Sequence, residues 1–138
     1  MEDNCIFCKI IKKQIVSYII YEDEDFQVIL DNSPATKGHA ILLTKKHFKN
    51  LFEMDEEIAA NLFPVVLKVS NMMKDELNCS GFNLVQNNGK DAGQTVFHFH
   101  LHLIPRYVND EVDFRWKTTE YEDGEAASIA KKISNKIN

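Results

Sequence analysis

The chain has 138 residues, 44% of them hydrophobic and 27% charged, and a formal net charge of −5. That length builds one substantial core and not two, so a single domain over residues 1–138 is expected. The acidic balance excludes a polyanion groove, which needs clustered Lys and Arg to displace counterions; no nucleic-acid partner is expected, and any phosphate must be held locally by a few donors. No stretch reaches the roughly 20 apolar residues of a membrane span. The start Met1-Glu2-Asp3-Asn4 is acidic and lacks a basic, apolar leader, so a cytoplasmic protein with no membrane partner is expected.

Residues 5–13 carry Ile6, Phe7, Ile10 and Ile11 at helical spacing and predict a short helix. Residues 17–22 and 26–30 are β-branched or aromatic runs on either side of Asp23-Glu24-Asp25, which reads as a hairpin. The turn Asn32-Ser33-Pro34 and then Gly38 lead into a third strand at 39–44. From Asp55, placed to cap the start, Ile58, Leu62, Val65, Val66, Val69, Met72, Met73 and Leu77 keep a helical period; Pro64 should kink or break this long helix. Gly81 turns the chain into a fourth strand at 82–86. A polar loop from Asn87 to Gln94 precedes a fifth strand at 96–104, ended by Pro105. The tail, with Glu125, Ala126, Ile129, Ile133 and Ile137, reads as a terminal amphipathic helix. The expected architecture is α+β: an antiparallel meander of about five strands, one long helix and a short N-terminal helix.

The fifth strand carries His98-Phe99-His100-Leu101-His102. Strand alternation puts the three imidazoles on one face, toward a ligand, and Phe99, Leu101 and Leu103 on the other. Imidazoles in a row are costly unless each has a partner. Three readings are open: surface histidines on a half-buried strand, a three-histidine metal centre, and nucleophilic catalysis at phosphorus. The loop before the strand offers Asn87, Gly89, Gly93, Gln94 and Thr95. These amides, hydroxyl and pliant backbone suit phosphate oxygens and favour the third reading. Cys5 and Cys8 form a C-x-x-C pair, which in a reducing compartment reads as half of a zinc site or as a redox dithiol; the βαβ context that a thioredoxin-like dithiol wants is missing. Cys79 reads as a partly buried small residue.

The run His98-Phe99-His100-Leu101-His102-Leu103-Ile104, preceded by Gly93-Gln94-Thr95-Val96, resembles the signature of the histidine-triad (HIT) family, His-φ-His-φ-His-φ-φ with φ apolar. The likeness spans about 5–106; the segment 107–138 has no recognisable counterpart. It implies a homodimer whose sheets join into one, binding a purine nucleotide of the AMP or GMP type. His100 is then the atom donor that attacks the α-phosphorus and becomes nucleotidylated, before water or another acceptor releases the nucleotide. An imidazole with an ordinary pKa of about 6.5 is neutral enough to attack and also leaves readily.

The resemblance further implies His102 at the phosphate and departing group, Thr95 near the leaving atom, and Asn87, Gly93 and Gln94 around the phosphate oxygens. It sets Asp31 on the ribose hydroxyls, Phe7 and Ile10 in the wall of the base pocket, and His39 beside the site. By pattern alone, Asp31 is a turn residue and Phe7 and Ile10 are core. HIT proteins of this kind pair the cysteine couple with the histidine after the third strand and the first triad histidine, so Cys5, Cys8, His47 and His98 are the implied ligands of one structural Zn2+ per subunit. Free thiols packed in a short helix are the alternative. The implied substrates are phosphoramidates, adenylates or dinucleoside polyphosphates. A nucleotide-binding regulatory or scaffold protein with incidental hydrolysis is the competing function, and a zinc hydrolase a third.

Overall fold

The computed structural model describes residues 2–137. The chain runs α1 (Ile6–Ile11), β1 (Ile19–Glu22), β2 (Phe26–Leu30), β3 (Ala40–Thr44), α2 (Glu56–Leu77), β4 (Gly81–Val85), β5 (His100–Arg106) and α3 (Glu125–Ser134). The five strands form one antiparallel sheet in the order β1-β2-β3-β5-β4. Three strands follow one another as the meander expects, and β5 then enters between β3 and β4.

Each face of the sheet carries its own core. On one side Leu62, Val65, Val66, Val69 and Met73 of α2 pack onto Phe26, Val28, Leu42, Leu101 and Leu103. On the other, Phe7, Ile10 and Ile11 of α1 cover Ile29, Ile41 and Leu43. Each such side chain contributes about 1.5–3 kcal/mol on leaving water, so α2 fixes the sheet and the shorter α1 covers only part of the opposite face. His100 and His102 lie on that same face, as register partners of Leu43 and Ile41, with Phe7 of α1 against His100.

Two expectations for α2 need correction. Pro64 does not break the helix, which runs unbroken from Glu56 to Leu77. It lies on the exposed side, where water can serve the carbonyl one turn back that has lost its N–H partner. Asp55 occupies the N-cap position, but its side chain makes no capping bond; the carboxylate pairs with Lys46 instead. At the other end Asn78 adopts the left-handed conformation and closes the helix through Lys74 O. There Gly38, at φ +89°, lets the chain pass so close that an added Cβ would lie 2.4 Å from Leu77 Cδ1. The absent side chain is what allows the end of α2 to rest on the turn that launches His39.

The expected terminal helix forms as α3, with no buried residue. No helix among the described residues is long and apolar enough to cross a membrane.

Candidate active site and metal centre

The strand bearing the histidines starts later than the sequence suggests. β5 begins at His100 and runs through Pro105 to Arg106, while residues 96–99 are irregular. The reason is a change of partner: the Phe99 N–H donates to Phe48 O at 2.7 Å, beyond the end of β3, so the β3–β5 ladder cannot extend that far. Pro105 is tolerated because the pairing with β3 has already ended at Leu103. Phe99, Leu101 and Leu103 do enter the core beside α2. The opposite face is less open than expected, with His98 0% and His100 8% exposed.

His98 leaves the ligand face altogether and joins Cys5, Cys8 and His47. Its Nε2 lies 2.7 Å from Thr44 O. A carbonyl only accepts, so Nε2 carries the proton and Nδ1 presents a bare lone pair. That Nδ1 lies 3.4 Å from Cys5 Sγ, 3.5 Å from Cys8 Sγ and 3.1 Å from His47 Nδ1, and His47 Nδ1 lies 3.3 Å from Cys8 Sγ. Glu2 draws the other His47 proton outward, its carboxylate 3.5 Å from Nε2. Two imidazole nitrogens and two sulfurs thus converge on one point, the donor set of a cation site. Zinc bonds of about 2.0–2.1 Å to nitrogen and 2.3 Å to sulfur put tetrahedral ligand atoms about 3.3–3.8 Å apart; the three nitrogen–sulfur distances fall in that range and the nitrogen–nitrogen distance of 3.1 Å lies just below it. Burial pushes the His98 imidazole down to about 4 and the Cys8 thiol up. Both ligands are thus neutral until a cation draws the thiol proton away. The residues fit a closed Cys2His2 site.

His39, His102 and Asp31 also come together, yet this second group is organised around protons. Ala35 N–H donates to His39 Nδ1 at 2.9 Å. His39 Nε2 therefore carries the proton and donates it to His102 Nδ1 at 2.9 Å, which leaves His102 Nε2 protonated and free to donate into the site. A cation between His39 and His102 would have to displace that proton and leave an imidazolate. The three-histidine metal centre of His98, His100 and His102 does not assemble, because His98 turns into the cysteine cluster. Asp31 Oδ2 lies 3.6 Å from His39 Nε2 and its Oδ1 accepts from Ser33 N–H. Burial lowers the pKa of His39 against the pull of Asp31. Burial, with repulsion from His100 and His39, pushes His102 down to about 4.

His100 stands between the two groups. Its Nδ1 is 2.7 Å from the His98 carbonyl, so Nδ1 is protonated and Nε2 keeps its lone pair. Burial lowers its pKa further, partly offset by the His98 carbonyl and Asp31, so the ring is neutral at cellular pH. Its centroid is 5.1 Å from that of His102 and 4.9 Å from that of Phe7. Phe7 and Ile10 share the α1 core with Ile29 and Ile41, giving an apolar wall beside His100.

The loop residues divide. Gln94 is buried, and its carboxamide donates to Lys49 O and Val96 O and accepts from Gly89 N–H. Here, therefore, the side chain builds the loop rather than presenting a free amide to a phosphate. Asn87 lies beside Gly93, its Nδ2 3.7 Å from where a Cβ would stand, and Thr95 is exposed on a cleft shared with Cys5, His47 and Val96. What sequence reasoning missed are backbone groups, the carbonyls of Thr44 and His98 and the N–H of Ala35, for which no side-chain signal exists. Glu2 carried no signal beyond an acidic start.

A HIT domain model matches residues 12–109. A crystal structure of a HIT family protein from Bacillus anthracis is 49% identical, with a TM-score of 0.91 over all of both chains. An adenosine 5'-monophosphoramidase of Schizosaccharomyces pombe is 35% identical over 97% of this chain and 98% of its own. A zinc-bound histidine triad family protein from Mycobacterium smegmatis is 36% identical, with a TM-score of 0.75 over 96% of this chain and 97% of that one. The chain belongs to the HIT family.

Proposed function

As a member of the HIT family, this chain is, we propose, a nucleotidyl hydrolase or transferase that cleaves at the α-phosphate of purine nucleotides through a covalent intermediate on His100. The carrying observation is the His98 carbonyl 2.7 Å from His100 Nδ1, which leaves Nε2 as an unprotonated nucleophile. That nitrogen attacks the α-phosphorus, and the bond to the leaving group breaks with its electron pair. The resulting nucleotidyl-imidazolium keeps its positive N–H on the His98 carbonyl, which eases formation of the adduct and leaves it reactive to water. The His102 Nε2–H donates to a phosphate oxygen, with Asn87, Gly93 and Thr95 around the same group. Asp31 takes the ribose hydroxyls, and Phe7 and Ile10 hold the base. The adenosine phosphoramidase among its relatives supports phosphoramidates as a substrate class.

The cation is zinc, one per subunit, held by Cys5, Cys8, His47 and His98. It orders the site and takes no part in bond making. The protein acts in the cytoplasm as a homodimer whose sheets join: β4 ends the sheet with an unpaired edge, and Phe63, Leu67 and Leu84 are exposed beside it. Sedimentation should show a dimer that Leu67→Glu converts to monomer.

The deciding experiment is intact mass after a brief quench with an adenosine phosphoramidate. The native chain gains one AMP and His100→Ala does not. No adduct despite measurable AMP binding would leave a nucleotide-binding module instead.

A further inference from the structure

His98 is placed so that its two ends serve different sites. Its side chain enters the Cys5–Cys8–His47 cluster and hydrogen-bonds Thr44 O. Its backbone carbonyl receives the Nδ1–H of His100. The residue lies before the first ladder residue of β5, in irregular backbone. The direction of that carbonyl is therefore not set by strand pairing as those of His100 and His102 are. Its planar peptide unit is held through the Phe99 N–H bond to Phe48 O, a single bond outside the ladder, and the residue that carries it is held by its buried imidazole. The same cluster also holds α1, through Cys5 and Cys8, and α1 carries Phe7, whose ring meets both His98 and His100 edge-on.

We infer that His98 is a positioning residue for the nucleophile. With its imidazole anchored in the Cys2His2 cluster, as a bound cation would fix it, His98 sets the carbonyl that holds His100 in the Nδ1–H tautomer with Nε2 free. The inference rests on the reading of His100 as the nucleophile. The contrast within the site sharpens it: His102 takes its tautomer from His39 and Ala35, elements of the β2–β3 turn with no link to the cluster. Loss of the cation should therefore release His100 and spare His102.

The experiment uses the full chain labelled with 15N-histidine, first with zinc and then after exhaustive chelation. Long-range 1H–15N spectra report the tautomer of each ring. In the zinc form His100 is a single Nδ1–H tautomer and His102 a single Nε2–H tautomer. After chelation His100 becomes a mixture of tautomers while His102 keeps its own. A chelated protein in which both rings hold their zinc-form tautomers overturns the inference.

Because chelation can unfold the chain, Cys5→Ser, which keeps three ligands, provides a second measurement with and without added zinc. Adduct formation in a single turnover should fall about 100-fold without zinc, the effect of misplacing a reacting group by an ångström, while AMP affinity changes far less. Equal loss of both, or loss of neither, also overturns it. Failure of the function itself looks different: the zinc form of the native chain then shows no adduct at all, although the tautomer contrast survives.

Discussion

Two clusters of nitrogen, oxygen and sulfur ligands lie on either side of His100, and they solve the same electrostatic problem in opposite ways. In Cys5–Cys8–His47–His98 the outer hydrogen bond to Thr44 O turns the His98 Nδ1 lone pair inward, and Glu2 stands 3.5 Å behind His47, so the gap between two sulfurs and two nitrogens suits a cation. In Asp31–His39–His102 the Ala35 N–H sits behind the first imidazole, so a proton already occupies the gap. Residue type does not distinguish a metal site from a hydrogen-bond relay here. The backbone group behind each histidine does, by choosing which nitrogen keeps its lone pair.

Substitutions that hit one cluster and spare the other test this distinction. The largest effect is expected for His98→Ala. Zinc content measured by atomic emission falls from one per chain toward zero, and denaturant unfolding loses about 4 kcal/mol, the linkage contribution of an ion at about 1,000 times its dissociation constant. Full zinc content in that variant would contradict the ligand assignment. Next comes His39→Ala, which should keep one zinc while kcat/KM for a phosphoramidate falls on the order of 100-fold, the scale of a misaligned proton-bearing group. Zinc loss there would mean the clusters are not separate.

A smaller change is expected at the turn that carries His39. Gly38→Ala combines the strain of a positive φ with the contact to Leu77, at a cost of about 1–3 kcal/mol in urea unfolding, again with zinc retained. The mildest is a pH slope. The folded His102 sits at about 4, below an unfolded imidazole, so between about 6.5 and 4 the unfolded chain binds the extra proton and stability falls as pH falls. Protonating Nδ1 would set two N–H groups against each other at the His39 contact. His102→Asn should flatten that slope, measured as the urea midpoint against pH, and an unchanged slope would assign it to other groups.

The amphipathic patterns of α2 and α1 were legible because burial on one face imposes a period, and β2 was legible as a short apolar run because it is buried on both faces. Pro64 misled because propensity does not know which face a residue occupies; on the wet side of a long, well-packed helix the lost bond costs little. The start of β5 was illegible for a related reason. Val96-Phe97-His98-Phe99 continues the alternation, with Phe99 on the α2 side, but alternation reports facing and not hydrogen-bond partners. The two imidazoles of the metal cluster were named through family likeness, since His47 lies 39 residues from its cysteine partner and no local pattern joins them. Gln94 shows the converse: an amide in a glycine-rich loop looks like a ligand donor until the carbonyls of Lys49 and Val96 are seen to claim it.

The place of β5 in the sheet also bears on how the molecule comes into being. Leu43 and His100 are neighbours in the sheet though more than fifty residues apart in sequence, and β4 pairs only with β5. A chain emerging from a ribosome can complete the β1–β3 meander early, and then waits through the whole of α2 and β4 for the strand that joins them. Both His100 and His102 arrive on that strand. In the nascent chain the histidine cluster therefore cannot assemble until β5 closes the sheet, a long-range step of the kind that slows folding.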